Sequence, residues 1–409
     1  MSPRRDPWRA LRTGDDPGER LVVGLMTGTS ADAVDAALVH FEGAGLTAKH
    51  RVLAYRETPL EDALRREVLE VAGADAVPLE RLMRLDAMLG ERYAEAVLEL
   101  LREAGVAAAD VGAIGSHGQT VRHVPRAAGG GRALTLQIGS ASVLAERTGI
   151  AVVSDFRTRD TAAGGEGAPL VPVADWWLFR ATAESRALLN LGGMANVTHL
   201  PRSCTLEQVT AFDTGPGNAV LDGLVDAATG GVARHDEGGQ LAARGRAHEV
   251  LLEELLADPF FQTPPPRSTG RERFGEAYAA RLRDIGEQLG LSLEDTLATA
   301  VELTARTVAG AVRDVLAPRG GVDALYASGG GVRNATLMVA LRRNLPELRI
   351  ERLDVLGVQP EAKEALAFAL LAHLTLSGVP GNVPGATGAR RRVVLGHVTP
   401  ADAPEEDAR

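Results

Sequence analysis

The sequence predicts an α/β protein built from two related halves. Predicted strands alternate with helices along the chain, which is typical of this class. An apolar strand that enters a glycine-containing polar turn occurs near residue 21 and again near residue 187. The length of 409 residues exceeds the usual size of one hydrophobic core. We therefore expect two domains with a cleft between them.

In the first half, the patterns change from strand to helix and back. Residues 21–56 have the pattern of β-hairpins, whereas residues 60–105 carry apolar side chains at three- and four-residue steps, as a helix does. The remaining predicted elements of this half are strands at 111–114, 134–138 and 150–153 and a helix at 141–147.

The second half repeats the alternation. Ser292 is a candidate N-cap for a long helix that runs to Leu316. The other predicted elements are strands at 187–191, 209–212 and 325–327, and helices at 218–228, at 251–257 and from 334 onward.

Composition and charge narrow the class of protein. The chain is 45% hydrophobic and 24% charged, as soluble globular proteins are, and its net charge of -10 argues against nucleic acid or an anionic membrane as partner. The single cysteine, Cys204, excludes an internal disulfide or a thiolate metal cluster. Residues 1–20 lack the apolar core of a signal peptide, and no apolar run is long enough to span a bilayer. These features predict a cytoplasmic protein with a disordered extension at 1–20 and an acidic tail at 399–409.

Four glycine-rich turns follow predicted strands, at 24–35, 190–196, 213–218 and 328–334. Ligands of α/β proteins bind at the carboxyl ends of strands, and three of these turns carry Asp, Asn or Thr side chains that suit phosphate, ribose or metal. The first turn combines two glycines, three hydroxyls and two carboxylates but lacks the Gly-Lys-Ser/Thr of a Walker loop. The alternative, that these are ordinary structural turns, stays open on this evidence.

Three further residues are candidates for chemistry. Asp160 precedes a glycine loop and follows two arginines, so it is either a general base or part of an ion-paired surface loop. His117, at the end of an apolar strand, suits a hydrogen bond to a ligand or to a buried neighbour. Metal binding is less favoured, since no second His lies at metal-ligand spacing. Glu364 lies on an apolar helix and, taken alone, is typical of an exposed helical glutamate.

In order along the chain, these segments closely resemble the anhydro-N-acetylmuramic acid kinases of the actin/hexokinase/Hsp70-like ATPase superfamily. The match is collinear from about Leu21 to Leu395 and includes Pro264 to Gly270 and Thr387-Gly388-Ala389. The resemblance implies a duplicated RNase H-like fold, with lobes at 21–185 and 186–398 and ATP in the cleft between them. It also implies a reaction: water opens the 1,6-anhydro ring of anhydro-N-acetylmuramic acid, and O6 takes the γ-phosphoryl group of ATP. The product is N-acetylmuramic acid 6-phosphate, and the pathway is peptidoglycan recycling.

The resemblance also assigns roles residue by residue. Asp160 falls on the carboxylate that activates water, and Glu364 on an acidic position of the family that is a candidate to assist at the sugar. His117, Gln119 and Arg157 resemble residues that bind the substrate. Asp32 and Asp213 are the candidate Mg2+ ligands. The implied ATP-binding residues are Gly28, Thr29, Ser30, Ala31, Asp32, Ala33, Val34 and Asp35 in the first phosphate loop, Asn190, Gly192, Gly193, Asp213, Gly215, Gly217 and Asn218 in the second, and Gly329, Gly330 and Asn334 at the nucleoside.

The chain departs from the family pattern at three positions. The family usually has Gly where this chain has Ala33, Ser where it has Thr27, and an acidic residue where it has Ser140. A methyl group at position 33 is expected to crowd a phosphate or to clash with a backbone angle that only glycine adopts. Two alternatives therefore accompany the anhydrosugar kinase: another sugar kinase of the superfamily, or a nucleotide- or sugar-binding regulator with weakened catalysis. Relatives also suggest a homodimer.

Overall fold

A computed structural model describes residues 18–126 and 131–401. The chain forms two compact units, one from the N-terminus to Ala174 together with Glu361 to the C-terminus, and one from Asp175 to Pro360. Of the predicted N-terminal extension and acidic tail, residues 1–17 and 402–409 lie outside the described residues.

The strands occur at nearly all the predicted places. They are β1 (Glu19–Thr27), β2 (Ala33–Glu42), β3 (Lys49–Pro59), β4 (Val111–Ser116), β5 (Gln119–Val124), β6 (Leu134–Ile138), β7 (Val152–Ser154), β8 (Arg186–Leu191), β9 (Met194–Leu200), β10 (Thr210–Pro216), β11 (Ala324–Ser328), β12 (Arg349–Arg352) and β13 (His397–Thr399).

The helices divide the predicted 60–105 segment in two, and the predicted helix to Leu316 is α-helical only to Gly310, with a π-helical turn at Ala311–Leu316. They are α1 (Asp62–Gly73), α2 (Leu79–Ala104), α3 (Ala141–Thr148), α4 (Thr158–Ala162), α5 (Pro172–Phe179), α6 (Asn218–Thr229), α7 (Glu249–Leu256), α8 (Pro259–Gln262), α9 (Arg271–Phe274), α10 (Glu276–Gln288), α11 (Leu293–Gly310), α12 (Ala335–Asn344), α13 (Lys363–Leu376) and α14 (Pro384–Thr387). Ser292 caps α11 as predicted, because its hydroxyl accepts a hydrogen bond from the Asp295 amide.

The main sheets of the two units have the same topology. In the first unit the strand order is β13-β7-β4-β1-β2-β3, and in the second it is β10-β9-β8-β11-β12. Each unit begins with three antiparallel strands, and its fourth strand then pairs in parallel with its first. A fifth strand, β7 or β12, pairs in parallel with the fourth. Both sheets therefore contain the order 3-2-1-4-5, which confirms the predicted duplicated RNase H-like fold.

Helix α13 belongs to the first unit, although the sequence division placed 186–398 together in the second lobe. The helix is apolar on nearly every side and is buried from Ala365 to Leu374, so it needs a sheet to cover it. It packs on β1, β2 and β4. Two glycines allow this close approach, since a Cβ at Gly24 would fall on the Ala365 carbonyl and one at Gly115 on the Phe368 carbonyl. Within the described residues, no helix is both long and apolar enough to cross a membrane.

Candidate active site

The predicted first phosphate loop is the turn between β1 and β2. The Ala31 amide donates to the Gly28 carbonyl over 3.1 Å, and Ala31 has a φ of 50°, so the turn is tight. The side chains of Ala31 and Val34 are buried in the core, whereas Thr29 and Ser30 are exposed. The loop therefore offers the backbone and hydroxyl groups of residues 28–30 to a ligand.

Asp32, a candidate Mg2+ ligand, points out of this loop. Its carboxylate Oδ1 lies 2.8 Å from Arg65 Nε, and 62% of its side chain is exposed. Its backbone carbonyl accepts from the Leu60 amide over 2.9 Å. The structure thus gives Asp32 an arginine partner on the surface.

The three positions that depart from the family pattern have ordinary structural roles. Ala33 is the first residue of β2 and pairs with Pro59, so its backbone is extended. The expectation that position 33 requires a glycine-only backbone angle is therefore wrong. Ser140 is the N-cap of α3, where its hydroxyl accepts from the Val143 amide over 3.4 Å. Thr27 donates to the Tyr93 hydroxyl in the core.

Asp35 is the second carboxylate of the loop and faces an acidic neighbourhood. Its Oδ1 accepts a 2.6 Å hydrogen bond from the Tyr55 hydroxyl. Burial raises the pKa of Asp35 to about 6, and the negative charges of Glu57, Glu364 and Glu361 act in the same direction. Asp35 therefore titrates closer to neutrality than an ordinary aspartate.

Asp160 is fully buried and its carboxylate is held by three hydrogen bonds. Its Oδ1 accepts from Asn382 Nδ2 over 2.7 Å and from Thr387 Oγ1 over 2.8 Å, and its Oδ2 accepts from the Gly167 amide over 2.9 Å. The adjacent glycine loop is needed for this geometry, because a Cβ at Gly165 would collide with the carboxylate. The surface-loop alternative for Asp160 is therefore wrong.

Arg157 and His117 form a hydrogen-bonded pair beside Asp160. The Nε and Nη2 atoms of Arg157 donate to His117 Nε2 over 3.0 and 2.8 Å, and Nη1 donates to the Gly167 carbonyl over 2.7 Å. His117 Nε2 is thus an acceptor, and the ring proton of the neutral imidazole lies on Nδ1. Burial and the Arg157 charge hold the pKa of His117 well below its usual value.

The pKa of Arg157 reflects both its burial and the charges of the two predicted catalytic residues. Burial lowers the pKa of Arg157 to about 10, while the charges of Glu364 and Asp160 oppose this shift. The guanidinium therefore stays positive at neutral pH. Glu364 is exposed in the first turn of α13.

Gln119 joins this group to the first loop. Its Nε2 donates to the Gly28 carbonyl over 3.2 Å. Its Oε1, like the Ser116 hydroxyl, is buried without a hydrogen-bond partner among the residues that the structure describes. Buried polar atoms are nearly always satisfied, so these two groups, in the last residue of β4 and the first of β5, are candidates to bind a polar ligand.

In the second unit, the predicted second phosphate loop and nucleoside turn meet at the carboxyl ends of β8 and β11. The Gly217 and Asn218 amides donate to the Gly193 and Gly192 carbonyls over 3.0 and 2.8 Å. Gly329 has a φ of 81°, and a Cβ there would lie 2.6 Å from Asn190 Oδ1. The glycines thus form a cradle in which backbone groups approach closely, as nucleotide sites require. Gly330 adjoins this cradle.

Asp213 and Asn334 support neighbouring segments. Asp213 Oδ2 accepts from the Thr269 amide over 2.7 Å, and its backbone carbonyl accepts from Arg267 Nε over 3.0 Å. Burial raises the pKa of Asp213 to about 6. Asn334 caps α12 through a 2.9 Å bond from the Leu337 amide. Gly215 lies in β10 beside the Phe261 ring.

Residue-level reasoning missed the partners that hold the candidate catalytic groups. Asn382 and Thr387 bind Asp160, Tyr55 binds Asp35, and Thr269 binds Asp213. Thr269 and Thr387 lie in the family-like segments at 264–270 and 387–389, so the resemblance offered a signal for these two partners.

The donors present suit a nucleotide better than a metal held by protein alone. Among residues 18–126 and 131–401, no three His, Cys, Asp or Glu side chains form a group that could hold a metal ion. Mg2+ usually takes one or two carboxylates together with phosphate oxygens, and Asp213 has one oxygen left after its bond to Thr269. The glycine cradle fits the close approach of a phosphate chain.

Comparisons with known proteins agree with the motifs. The family model described as anhydro-N-acetylmuramic acid kinase matches residues 20–401. An anhydro-N-acetylmuramic acid kinase from Caldanaerobacter subterraneus subsp. tengcongensis is 44% identical over 384 residues, which cover 93% of this chain and 97% of the relative. One from Gloeobacter violaceus is 45% identical over 381 residues, which cover 93% and 99%.

Among solved structures, a ROK hexokinase from Thermus thermophilus aligns with 86% of this chain and 98% of its own, at 18% identity and a TM-score of 0.36. That likeness is too weak to add to the assignment. The family match spans nearly the whole chain and confirms the family predicted from the motifs: the chain belongs to the anhydro-N-acetylmuramic acid kinase family.

Proposed function

We propose that the protein is an ATP-dependent kinase that opens 1,6-anhydro-N-acetylmuramic acid with water and phosphorylates O6, giving N-acetylmuramic acid 6-phosphate and ADP. Family membership supports this reaction. The structural observation that carries it is the clamped Asp160 carboxylate beside the Arg157–His117 pair. This arrangement supplies a fixed base and a positive charge in one place.

Asp160 is proposed to accept the proton of the attacking water. A carboxylate has about four acceptor positions, and the three hydrogen bonds leave one of them on Oδ2. Water then adds to C1 as the C1–O6 bond breaks, and O6 keeps the bonding electron pair. The next bond is formed between O6 and the γ-phosphorus of ATP, with ADP as leaving group.

Arg157 and Glu364 are proposed to stabilise the charges that develop on the sugar during these reaction steps. The buried guanidinium stabilises negative charge on O6 as it leaves C1, because a charge–charge interaction is strong away from bulk water. Glu364, whose negative charge acts on Arg157 and Asp35, is proposed to act at the sugar. His117 and Gln119, in the turn between β4 and β5 and at the start of β5, are proposed to bind the sugar.

Residues 28–30 of the first loop are proposed to bind nucleotide phosphates, and so is the cradle at Asn190, Gly217 and Gly329. Mg2+ bound to the phosphates would neutralise their charge during transfer. Asp213 would hold that ion through its remaining carboxylate oxygen, directly or through water. A cytoplasmic location and a homodimer also stay proposals, and sedimentation velocity measures the second.

The test is ADP release with anhydro-N-acetylmuramic acid. The variant Asp160→Asn keeps the size of the side chain but cannot serve as base, so its turnover should fall by about a hundredfold or more. Asp175→Asn is a matched control, because Asp175 is a buried carboxylate that accepts a 2.8 Å bond from Thr198 and lies in the other unit. Equal turnover of the Asp160 variant and the wild type would rule Asp160 out as the base.

Product analysis in heavy-oxygen water separates the alternatives. Label at the C1 hydroxyl is expected for hydrolytic ring opening. A preference for open-ring N-acetylmuramic acid or glucosamine, with no added label, would favour another sugar kinase. Tight binding of ATP or sugar without turnover would favour a regulator.

A further inference from the structure

A cavity of about 280 Å³ in the first unit has an arginine-rich wall. Its lining includes Arg126, Arg132 and Arg390 together with Thr161 and Gly164. No role was assigned to this cavity by the sequence motifs, and none of the three arginines takes part in the proposed chemistry. It is a concave site with several convergent charged groups, as ligand sites are.

The positive charge of this cavity is only partly balanced. Arg126 Nε lies 3.3 Å from Glu166 Oε1, and its Nη1 donates to the Gly164 carbonyl over 3.2 Å. Arg132 and Arg390 make no ion pair with any residue in the described part of the chain. Both side chains are exposed, and their two guanidinium groups are therefore free for an anion in a protein whose net charge is -10.

The cavity is built from the same two segments that clamp Asp160. The Arg390 amide donates to the Ala163 carbonyl over 3.0 Å, and the Glu166 amide donates to the Thr387 carbonyl over 2.8 Å. Thr387 itself donates to Asp160 Oδ1. Arg390 is thus fixed three residues beyond a direct partner of the proposed base, and the lining at Gly164 follows the helix that carries Asp160. A ligand group in the cavity would belong to a molecule bound close to that base.

We propose that this arginine-lined cavity binds the carboxylate of the lactyl ether that distinguishes muramic acid from glucosamine. The inference rests on the proposed function and deepens it, since it names the substituent that the enzyme selects. Guanidinium groups bind carboxylates through two parallel N–H···O bonds, which gives direction as well as charge. A sugar without the carboxylate would cover these exposed guanidinium groups without pairing their charge, so a neutral analogue should bind less tightly than the acid.

The test compares anhydro-N-acetylmuramic acid with its neutral lactyl amide in the wild type and in Arg390→Gln. The wild type should prefer the acid by roughly tenfold or more in kcat/KM, as expected for a charge-assisted pair. Arg390→Gln should bring this preference close to parity by slowing the reaction of the acid and not that of the amide. Arg132→Gln should act in the same direction, and the KM for ATP should not change in either variant.

Arg391→Gln is the matched control, because Arg391 is exposed, as Arg390 is, but does not line the cavity. It removes the same charge from the surface and should keep the wild-type preference for the acid. Titration calorimetry of both sugars without ATP compares their binding alone. It therefore measures the preference for the acid even if the protein binds the sugars without turning them over.

The outcomes separate this inference from the proposed function. Absence of turnover of either sugar by the wild type would count against the proposed function. The ratio of the calorimetric affinities for the acid and the amide would then decide whether the cavity binds the carboxylate. Turnover with an acid-to-amide ratio that Arg390→Gln and Arg132→Gln leave unchanged would overturn the carboxylate site and leave the proposed function standing. A raised KM for ATP with an unchanged ratio would assign the cavity to a phosphate group instead.

Discussion

Replacing Thr387 with valine is expected to weaken the clamp on Asp160 without creating a cavity. Thr387 is fully buried, and its hydroxyl donates to Asp160 Oδ1 over 2.8 Å. Valine has nearly the same shape, so the change removes one of three hydrogen bonds to a carboxylate. A hydrogen bond to a charged group contributes about 1.5–3 kcal/mol. We expect Thr387→Val to lose about 2 kcal/mol of unfolding free energy.

The same substitution should lower catalysis. Only Asn382 and Gly167 would still fix the carboxylate, and a loosely held base loses the alignment on which the rate depends. We expect kcat for the anhydrosugar to fall by roughly tenfold, with the KM for ATP unchanged. Urea unfolding followed by circular dichroism measures the stability, and ADP release measures the rate.

Thr148→Val is the matched control in the same unit. Thr148 is also buried, but its hydroxyl donates to the neutral Leu144 carbonyl over 2.7 Å. The variant should lose about 1 kcal/mol of stability and keep the wild-type kcat. If Thr387→Val were as destabilised as expected yet turned over at the wild-type rate, the clamp would be structural, and the argument that it positions a base would fail.

Three further predictions concern the loops. Gly329→Ala should raise the KM for ATP by roughly tenfold or more, because its Cβ would lie 2.6 Å from Asn190 Oδ1 at a φ of 81°. Gly357→Ala, at a φ of 83° and facing open space, should be destabilised by about 1 kcal/mol and keep its KM. Ala33→Gly should give no gain in kcat and should lower the unfolding free energy in urea by about 0.5–1 kcal/mol, since position 33 is extended in β2. A clear gain in kcat would instead indicate that this methyl group obstructs the phosphates. Asp35→Asn should flatten the pH dependence of unfolding free energy between about pH 4 and 6, and a variant that tracked the wild type would contradict the raised pKa.

The sign of the Asp35 effect follows from the direction of its shift. Its pKa is raised from 3.8 to about 6 on folding, so the folded state holds the proton more tightly than the unfolded state. The stability that this proton contributes is present below pH 4 and is lost as pH rises through 6. Subtracting the Asp35→Asn curve from that of the wild type isolates this component from those of Asp213 and Asp222, whose pKa values burial also raises.

Local sequence patterns predicted most of the framework correctly. Strand alternation, helical periodicity and glycine turns depend on neighbours in the chain, so the hairpins of the first unit, α11 and the turns after β1, β8 and β11 lay where the pattern put them. The order of the motifs predicted the family. Ala31 and Val34 of the predicted phosphate loop have side chains buried in the core, a placement that the motif alone did not predict.

By itself, the sequence determined the duplicated α/β fold, the family and the residue types of the candidate site. The tertiary structure decided which of those residues meet. Helix α13 lies in the first unit, where its apolar surface is covered by the sheet. Exposed Asp32 has an arginine partner. The tertiary structure also clamps Asp160 with Asn382 and Thr387, which follow it by 222 and 227 residues. Contacts across such separations leave no periodic trace in the chain, because packing and not neighbouring residues brings their atoms together.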